Sequence, residues 1–494
     1  MKIRMCSWYF ILLLLFFLAS CSNSPNTALH FGLASQPSNL DPLFATDATS
    51  TRIDRLLFQR LVHFDKSSQV IPGIANWHKI SDTHYRFVLN DKVKPFHDET
   101  RLSSADIKAT YDFILDPNNS SPHRSSLTLI DNITTPDKQT TDFFLNRIDP
   151  LFPAYLAVGI VPKSLLDTQH AFNQQPIGSG PFKFLNKTDD GKIALLRRKD
   201  QKLIEFVYVP DPTVRILKLM RGELDIIQND IQPELIDYLS NKDDVTIDRI
   251  PGSNFSYIGF NMMDKALSQI EIRQAIALSI NRQEIINFMF KHSARKAQAI
   301  LSGDHWAGNP SLKAYNYNPK QAQKLLLNLG YSFKNPLQLT FKTSSDPFRL
   351  RLATIYQHQL AKVGIQLDIR SYDWGTFFGD IKAGRFQLYS LSWVGINTPD
   401  IFRYTSHSDS IPPKGANRGR YIDKKTDQLI EQAESQMDFS EQAKYYALLQ
   451  AHLLLELPYV PLWYEDHVVI KNHKVKNYHV SSQGHYDGLV NVEF

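Results

Sequence analysis

Apolar and polar positions change period several times along the chain. Residues 8–18 form an unbroken apolar run behind Lys2 and Arg4, and the chain then turns polar over 22–27. Residues 84–90, HYRFVLN, alternate with a period of two, which predicts a strand with one buried face. Ser103 precedes SADIKATYDFIL, with Asp106 at the third helical position and Pro117 just past the end, which predicts a capped helix. Ile272, Ala275, Ile276 and Ile280 share one helical face. Asn281 and Glu284 then have the spacing of a capping box for a second helix. Asn318-Pro319 and Asp346-Pro347 each open a helix, closed by Gly330 and Gly364. IQLDIR follows as a strand, Asp373 caps WGTFFGDIKA, Gly384 stops it, and FQLYSLSW is a further strand. Residues 315–394 thus alternate helix and strand, which implies an α/β lobe with at least partly parallel strands. Residues 426–457 read as helical up to Pro458, and YVPLWYEDHVVI reads as one or two strands. No internal repeat or low-complexity segment interrupts the pattern.

The first apolar run is too short to span a hydrocarbon core, which needs about 20 helical residues. Its length suits the apolar region of an export signal. Leu18-Ala19-Ser20-Cys21 resembles the lipobox of bacterial lipoproteins, in which the cysteine takes a diacylglycerol after cleavage before it. The resemblance implies a signal peptide over 1–20, a tether over 21–27 and lipidation at Cys21. Two or more acyl chains anchor stably where one does not. Cys6 is discarded with the leader, so neither of the 2 cysteines is left as a free thiol, and disulfides and cysteine nucleophiles are excluded. Cleavage leaves 474 of the 494 residues, too many for a single core.

Charge and chemistry narrow the function further. The net charge of +5 falls to +3 without Lys2 and Arg4, which is no nucleic-acid signature on a chain this long. There is no HExxH and no GxSxG, and GSG at 178–180 is too short for a nucleotide-binding loop. His467, His473 and His479 recur every six residues, but KNHKVKN reads as a turn between them. The expectation is therefore no enzyme, no metal site and no cofactor.

Several segments carry a resemblance. YRFVLNDKVKPFHDETRLSSADIKATYDFILD, GSGPFKF, IRQAIALSINRQEII, NPKQAQKLLLNLGY, QHQLAKVGIQLDIRSYDWGTFF and LPYVPLWY occur in order over nearly all of the mature chain. Together they resemble the bacterial solute-binding proteins of family 5, the peptide and nickel family. That family often has a glycine in the turn occupied here by Asp98-Glu99. The resemblance implies an α/β, two-lobe periplasmic-binding-protein fold of class II type, with an extra subdomain in lobe one. Lobe one would span 28–256 and lobe two 257–460, with 461–494 returning to complete lobe one. FSYIGFN and YVPLWYED would be the crossings between lobes.

The implied function is a lipid-anchored, monomeric receptor of a peptide-type ABC importer, periplasmic or at the cell surface. It would capture a peptide or peptide-like solute and pass it to inner-membrane permease subunits. The alternatives are a non-peptide solute, such as a glycan fragment or metal chelate, and a surface interaction protein that no longer serves transport. By the resemblance, Thr46, Asp47 and Ala48 form a strand facing the ligand, and Ser392, Trp393 and Val394 a strand pairing with its backbone. Trp374 lines a side-chain pocket, Tyr257 and Asn261 stand at the first crossing, and Trp463 and Tyr464 at the second. Peptide-binding members usually place an aspartate for the ligand's α-ammonium where this chain has Ile396. Longer-peptide binders place arginines at the positions of Ile381 and Ser390. A buried ammonium needs an anion, which Asp400, Asp47 or Asp373 would have to supply. Ile396 therefore predicts a weak dependence on a free ligand amine.

Overall fold

The computed structural model of the protein describes residues 28–65, 68–396 and 398–494. The leader, the tether and Cys21 lie outside the described residues. Helix starts follow the caps read from the sequence. Ser103 and Asp106 form a reciprocal capping box at Ser104–Leu115. Asn281, Asn318, Asp346 and Asp373 each accept a backbone N–H from the first turn that follows, and such caps contribute about 1 kcal/mol each. Residues 426–457 are not one helix. The chain forms Lys424–Ser435 and Phe439–Glu456, because Asp438 turns its carboxylate onto the N–H groups of Ser440 and Glu441 and starts a new helix. The apolar run near the C-terminus is a single strand, Tyr459–Asn472. In the Asp98-Glu99 turn, Glu99 takes the left-handed conformation, with φ of 69°.

One 11-stranded sheet runs through the whole molecule. At one end Ala28–Leu33 pairs in parallel with Leu203–Tyr208 and Ile226–Gln228. At the other, Leu337–Ser344 pairs in parallel with Ile365–Tyr372 and Leu388–Trp393, as the helix–strand alternation predicts. Two long antiparallel strands, Val245–Phe260 and Tyr459–Asn472, join the ends. Their register shifts between Ile250 and Asn254 and again between Ser256 and Tyr257. Such bulges bend and twist a strand pair. Gly252 sits in the first bend, where a Cβ would come within 2.2 Å of the Glu465 carbonyl oxygen, so only glycine fits.

The apolar cores divide the protein into two lobes. Leu29, Phe31, Ile53, Phe206, Val469 and Tyr478 belong to the first lobe's core. Phe87, Tyr111, Phe143 and Phe152 extend that core under a separate four-stranded sheet, the extra subdomain. Ile276, Leu326, Phe341 and Trp463 form one core of the second lobe, and Phe255, Tyr389, Phe402 and Tyr446 another. Among the described residues no helix is long and apolar enough to cross a membrane.

Candidate ligand-binding site

A cleft of about 1510 Å³, counting its open mouth, lies between the lobes. The helix Ala48–Leu57 supplies much of the first-lobe wall through Ala48, Thr51, Arg52, Asp54 and Arg55. Arg60, Tyr155, Gln483 and His485 extend that wall. Val394, Gly395, Thr398 and Asp400 close the cleft from the second lobe. The helix turns Ile53, Leu56 and Leu57 into the first-lobe core, and its 3.6-residue period leaves the arginines on the cleft side.

Charge in this cleft is mixed and unevenly satisfied. Arg55 pairs with Asp487 at 2.6 Å, and the Arg52 guanidinium lies 5.6 Å from the Tyr486 ring centroid. Asp54 and Arg60 are buried, yet neither Asp54 carboxylate oxygen nor the Arg60 Nε has a hydrogen-bond partner among the described residues. Gln483 Nε2 and His485 Nδ1 are likewise without partners there. Burial raises the Asp54 carboxyl well above the carboxylate range, although the positive Arg60 opposes the shift. On the facing wall, burial pushes Asp400 up to about 6. Asp149, behind Tyr155, is also raised to about 6 by burial.

Two smaller cavities flank the cleft. One of about 430 Å³ lies within the second lobe, between Tyr257, Tyr389, Trp393, Arg418 and Tyr459. The Arg418 guanidinium stacks 4.4 Å from the Trp393 ring centroid and donates to the Tyr257 hydroxyl at 3.3 Å. The other, of about 690 Å³, sits beside the bend at Gly252 and is lined by Arg295, Ile300, Ile396 and Tyr464. Ile300 borders both.

The residues singled out in the sequence scatter around these cavities. Thr46, Ala48, Val394 and Asp400 line the interlobe cleft, Tyr257 and Trp393 the second-lobe cavity, and Ile396 and Tyr464 the cavity at the bend. Residues 46–48 are not a strand. Asp47 caps the helix Ala48–Leu57, accepting from the Ser50 N–H at 2.9 Å. Burial raises its carboxyl, but hydrogen bonds from Ser38 and Ser50 outweigh that and hold it below the usual range, so its lone pairs are already in use. Trp463 is fully buried, packed 4.9 Å from Phe290 in the core, and lines none of the three cavities. Asn261 is a bracket: its amide donates to the carbonyls of Gly384 and Phe386. Trp374 is 59% exposed, stacks on Phe378 and lines none of the three cavities. The Ser392 side chain is spent on Ser256 at 2.6 Å, and Ser256 in turn donates to Glu465. Asp373 is occupied as a cap. Ile381 is in the core, and Ser390 donates to the Tyr257 carbonyl. His467 lies in the return strand, where it accepts from or donates to Asn229 and Ser482, and His473 and His479 follow that strand.

Arg52, Asp54, Arg60, His485 and Arg418 were not legible as site residues. Nothing local in TRIDRLLFQR marks its charges as facing a ligand, and only the second lobe's approach turns that side into a cleft wall.

Comparison with known proteins agrees with this architecture. The family described as bacterial extracellular solute-binding proteins, family 5 Middle, matches residues 69–411. The chain is 27% identical to the dipeptide-binding protein of Escherichia coli, over 92% of this chain and 93% of that one. The periplasmic binding protein DppA of Helicobacter pylori, solved in complex with the peptide STSA, superposes with a TM-score of 0.81 at 26% identity, covering 94% of this chain and 98% of its own. NikZ of Campylobacter jejuni, solved in complex with Ni(L-His), gives a TM-score of 0.83 over 95% of this chain and all of its own, and at 23% identity shows the shared fold alone.

Proposed function

The chain belongs to the bacterial extracellular solute-binding proteins of family 5, and from that premise we propose that it is the lipid-anchored receptor of a peptide-type ABC importer. It is a substrate-binding protein, and the family consists of binding proteins rather than enzymes. In our reading, 28–256 with 461–494 and 257–460 are the two lobes. They close on a peptide or peptide-like solute, and the closed shape is what the permease reads. The observation that carries this reading is the interlobe cleft, walled by charged and polar side chains of the first lobe and by Val394, Gly395, Thr398 and Asp400 of the second. The dipeptide-binding relative and the peptide-bound neighbour support a peptide as the solute. Cys21 is proposed as the lipid attachment point, with the protein working as a monomer on the outer side of the inner membrane or at the cell surface.

Growth on a peptide as the sole source of a required amino acid tests the transport reading. Deleting the gene should abolish uptake of at least one class of short peptides, and the intact gene should restore it. Unchanged uptake of all peptides would remove transport from the reading. Cys21→Ala should abolish labelling by a fatty-acid probe; persistent labelling would remove the anchor.

A further inference from the structure

Six aspartates are buried among the described residues, and five of them are bonded within the protein. Asp225 accepts from the His30 N–H at 2.8 Å with one oxygen, and its other oxygen forms an ion pair with Lys474 at 2.8 Å. Asp106 accepts from the N–H groups of Ser103 and Lys163. Asp142 takes Arg86 in a two-pronged pair, and Asp380 takes Lys342 and Arg385. Asp149 accepts from the Leu151 N–H and the Tyr155 hydroxyl. Asp54 alone has neither oxygen engaged, although it is only 2% exposed. It is also the one of the six that lines the interlobe cleft.

An unmatched buried polar group costs about 1–3 kcal/mol, and a charged one more. Five satisfied aspartates show that the fold can supply partners, so the open carboxyl faces the cleft for a partner that arrives there. The sign of that partner follows from the carboxyl and its surroundings. Asp41 and Asp47 oppose ionisation of Asp54 and Arg60 favours it, while Arg52 stands in the same wall over the Tyr486 ring. Arg55 is neutralised by Asp487. With both of its oxygens unbonded, the Asp54 carboxyl itself is the acceptor that a cation would take.

We propose that Asp54 is the first-lobe anchor for a primary ammonium of the ligand. The proposal rests on the receptor reading above and specifies its ligand as an organic cation with a hydrogen-bond acceptor near the ammonium, as the first residue of a free peptide has. The Arg60 Nε–H is a donor for that acceptor in the same wall. Ile396 does not bear on the amine, because it lies in an apolar cluster beside a different cavity. Burial disfavours the ionised form of the Asp54 carboxyl when it is alone. An arriving R–NH3+ favours the ionised carboxyl, and any proton that the carboxyl still holds leaves to solvent as the pair forms, so charge and protons balance.

Native mass spectrometry of the full chain, mixed with an equimolar library of free-amine di- and tripeptides and the same library N-acetylated, tests this. Wild type should retain free-amine members and not their acetylated forms. Asp54→Asn should weaken retention roughly ten- to a hundred-fold, the worth of a charge-assisted hydrogen bond, and Asp54→Glu should restore part of it. Free-amine peptides retained equally by wild type and Asp54→Asn would overturn the anchor while the peptide reading stands. Preference for acetylated members would overturn the ammonium. Retention of no member of either library would overturn the peptide reading and this inference together. Calorimetry of wild type with a retained peptide and its N-acetylated form decides the matter even if a variant does not fold: the free amine should bind roughly ten- to a hundred-fold more tightly, and equal affinities would overturn the anchor.

Discussion

Arg273 and Arg60 are both buried arginines, one in each lobe, and they do opposite things. Arg273 donates to the carbonyls of Leu267, Ser268, Glu456 and Leu457 at 2.7–3.0 Å. It fastens the start of the helix Ile270–Ser279 to the chain just before the return strand. Arg60 is as deeply placed, but its Nε is unbonded and it faces a cleft beside an unbonded carboxylate. The difference teaches that burial of a charge does not mark function by itself. A buried charge whose bonds all close inside the protein is architecture, and one left open toward a cavity is an instrument for binding.

Four experiments break or sharpen this contrast. Arg273→Met should be the most damaging, because it orphans four carbonyls at once. At about 1.5 kcal/mol per charge-assisted bond, the second lobe should lose about 6 kcal/mol in urea unfolding. A loss below about 1 kcal/mol would dissolve the distinction. Trp463→Ala follows, at about 3–5 kcal/mol, the cost of a large cavity in a packed core. If it instead left stability unchanged and altered only binding, Trp463 would belong to the site rather than the core.

Asp54→Asn should have a far smaller effect on the unliganded protein. It removes no internal hydrogen bond and a carboxyl that burial disfavours in its charged form, so stability at neutral pH should be unchanged or slightly higher. A loss above about 2 kcal/mol would mean that Asp54 is held by Arg60 as a structural pair.

The smallest effect concerns pH. Burial raises Asp400 from 3.8 to about 6. The folded state therefore holds this proton more tightly than the unfolded state. Its contribution to stability is fully present below the unfolded value and is lost as pH rises through about 6. Asp400→Asn should flatten the fall of stability across that window. A variant with the wild-type slope would assign the titration elsewhere, to Asp41 or Asp149.

The order of helices and strands, the caps at Ser103, Asn281, Asn318, Asp346 and Asp373, and the parallel alternation of the second lobe were legible in the sequence. They depend on neighbours within a few residues, and the side chain that stops or starts a helix is written beside it. One local reading, and one carried over from the resemblance, failed where a polar side chain started a helix. Asp438 split a long helical stretch, and Asp47 made a helix cap where a strand was expected. The resemblance carried the two-lobe fold, since order and spacing of motifs survive at an identity of 27%.

The site was less legible. Trp463 sits next to Tyr464 in the same strand, yet one fills the core and the other borders a cavity, because successive strand residues point to opposite faces. Which face is the core is fixed by what packs against it, not by the strand. Asp54 lies between Ile53 and Arg55 on an ordinary amphipathic helix. By itself the sequence determined which segments are helix or strand and that the chain is a two-lobe binder. Only the tertiary structure decided which charges are spent and which are free. A charge's partners often come from residues distant in the chain, as the 171 positions between Arg295 and Asp466 illustrate, and no local pattern encodes their absence.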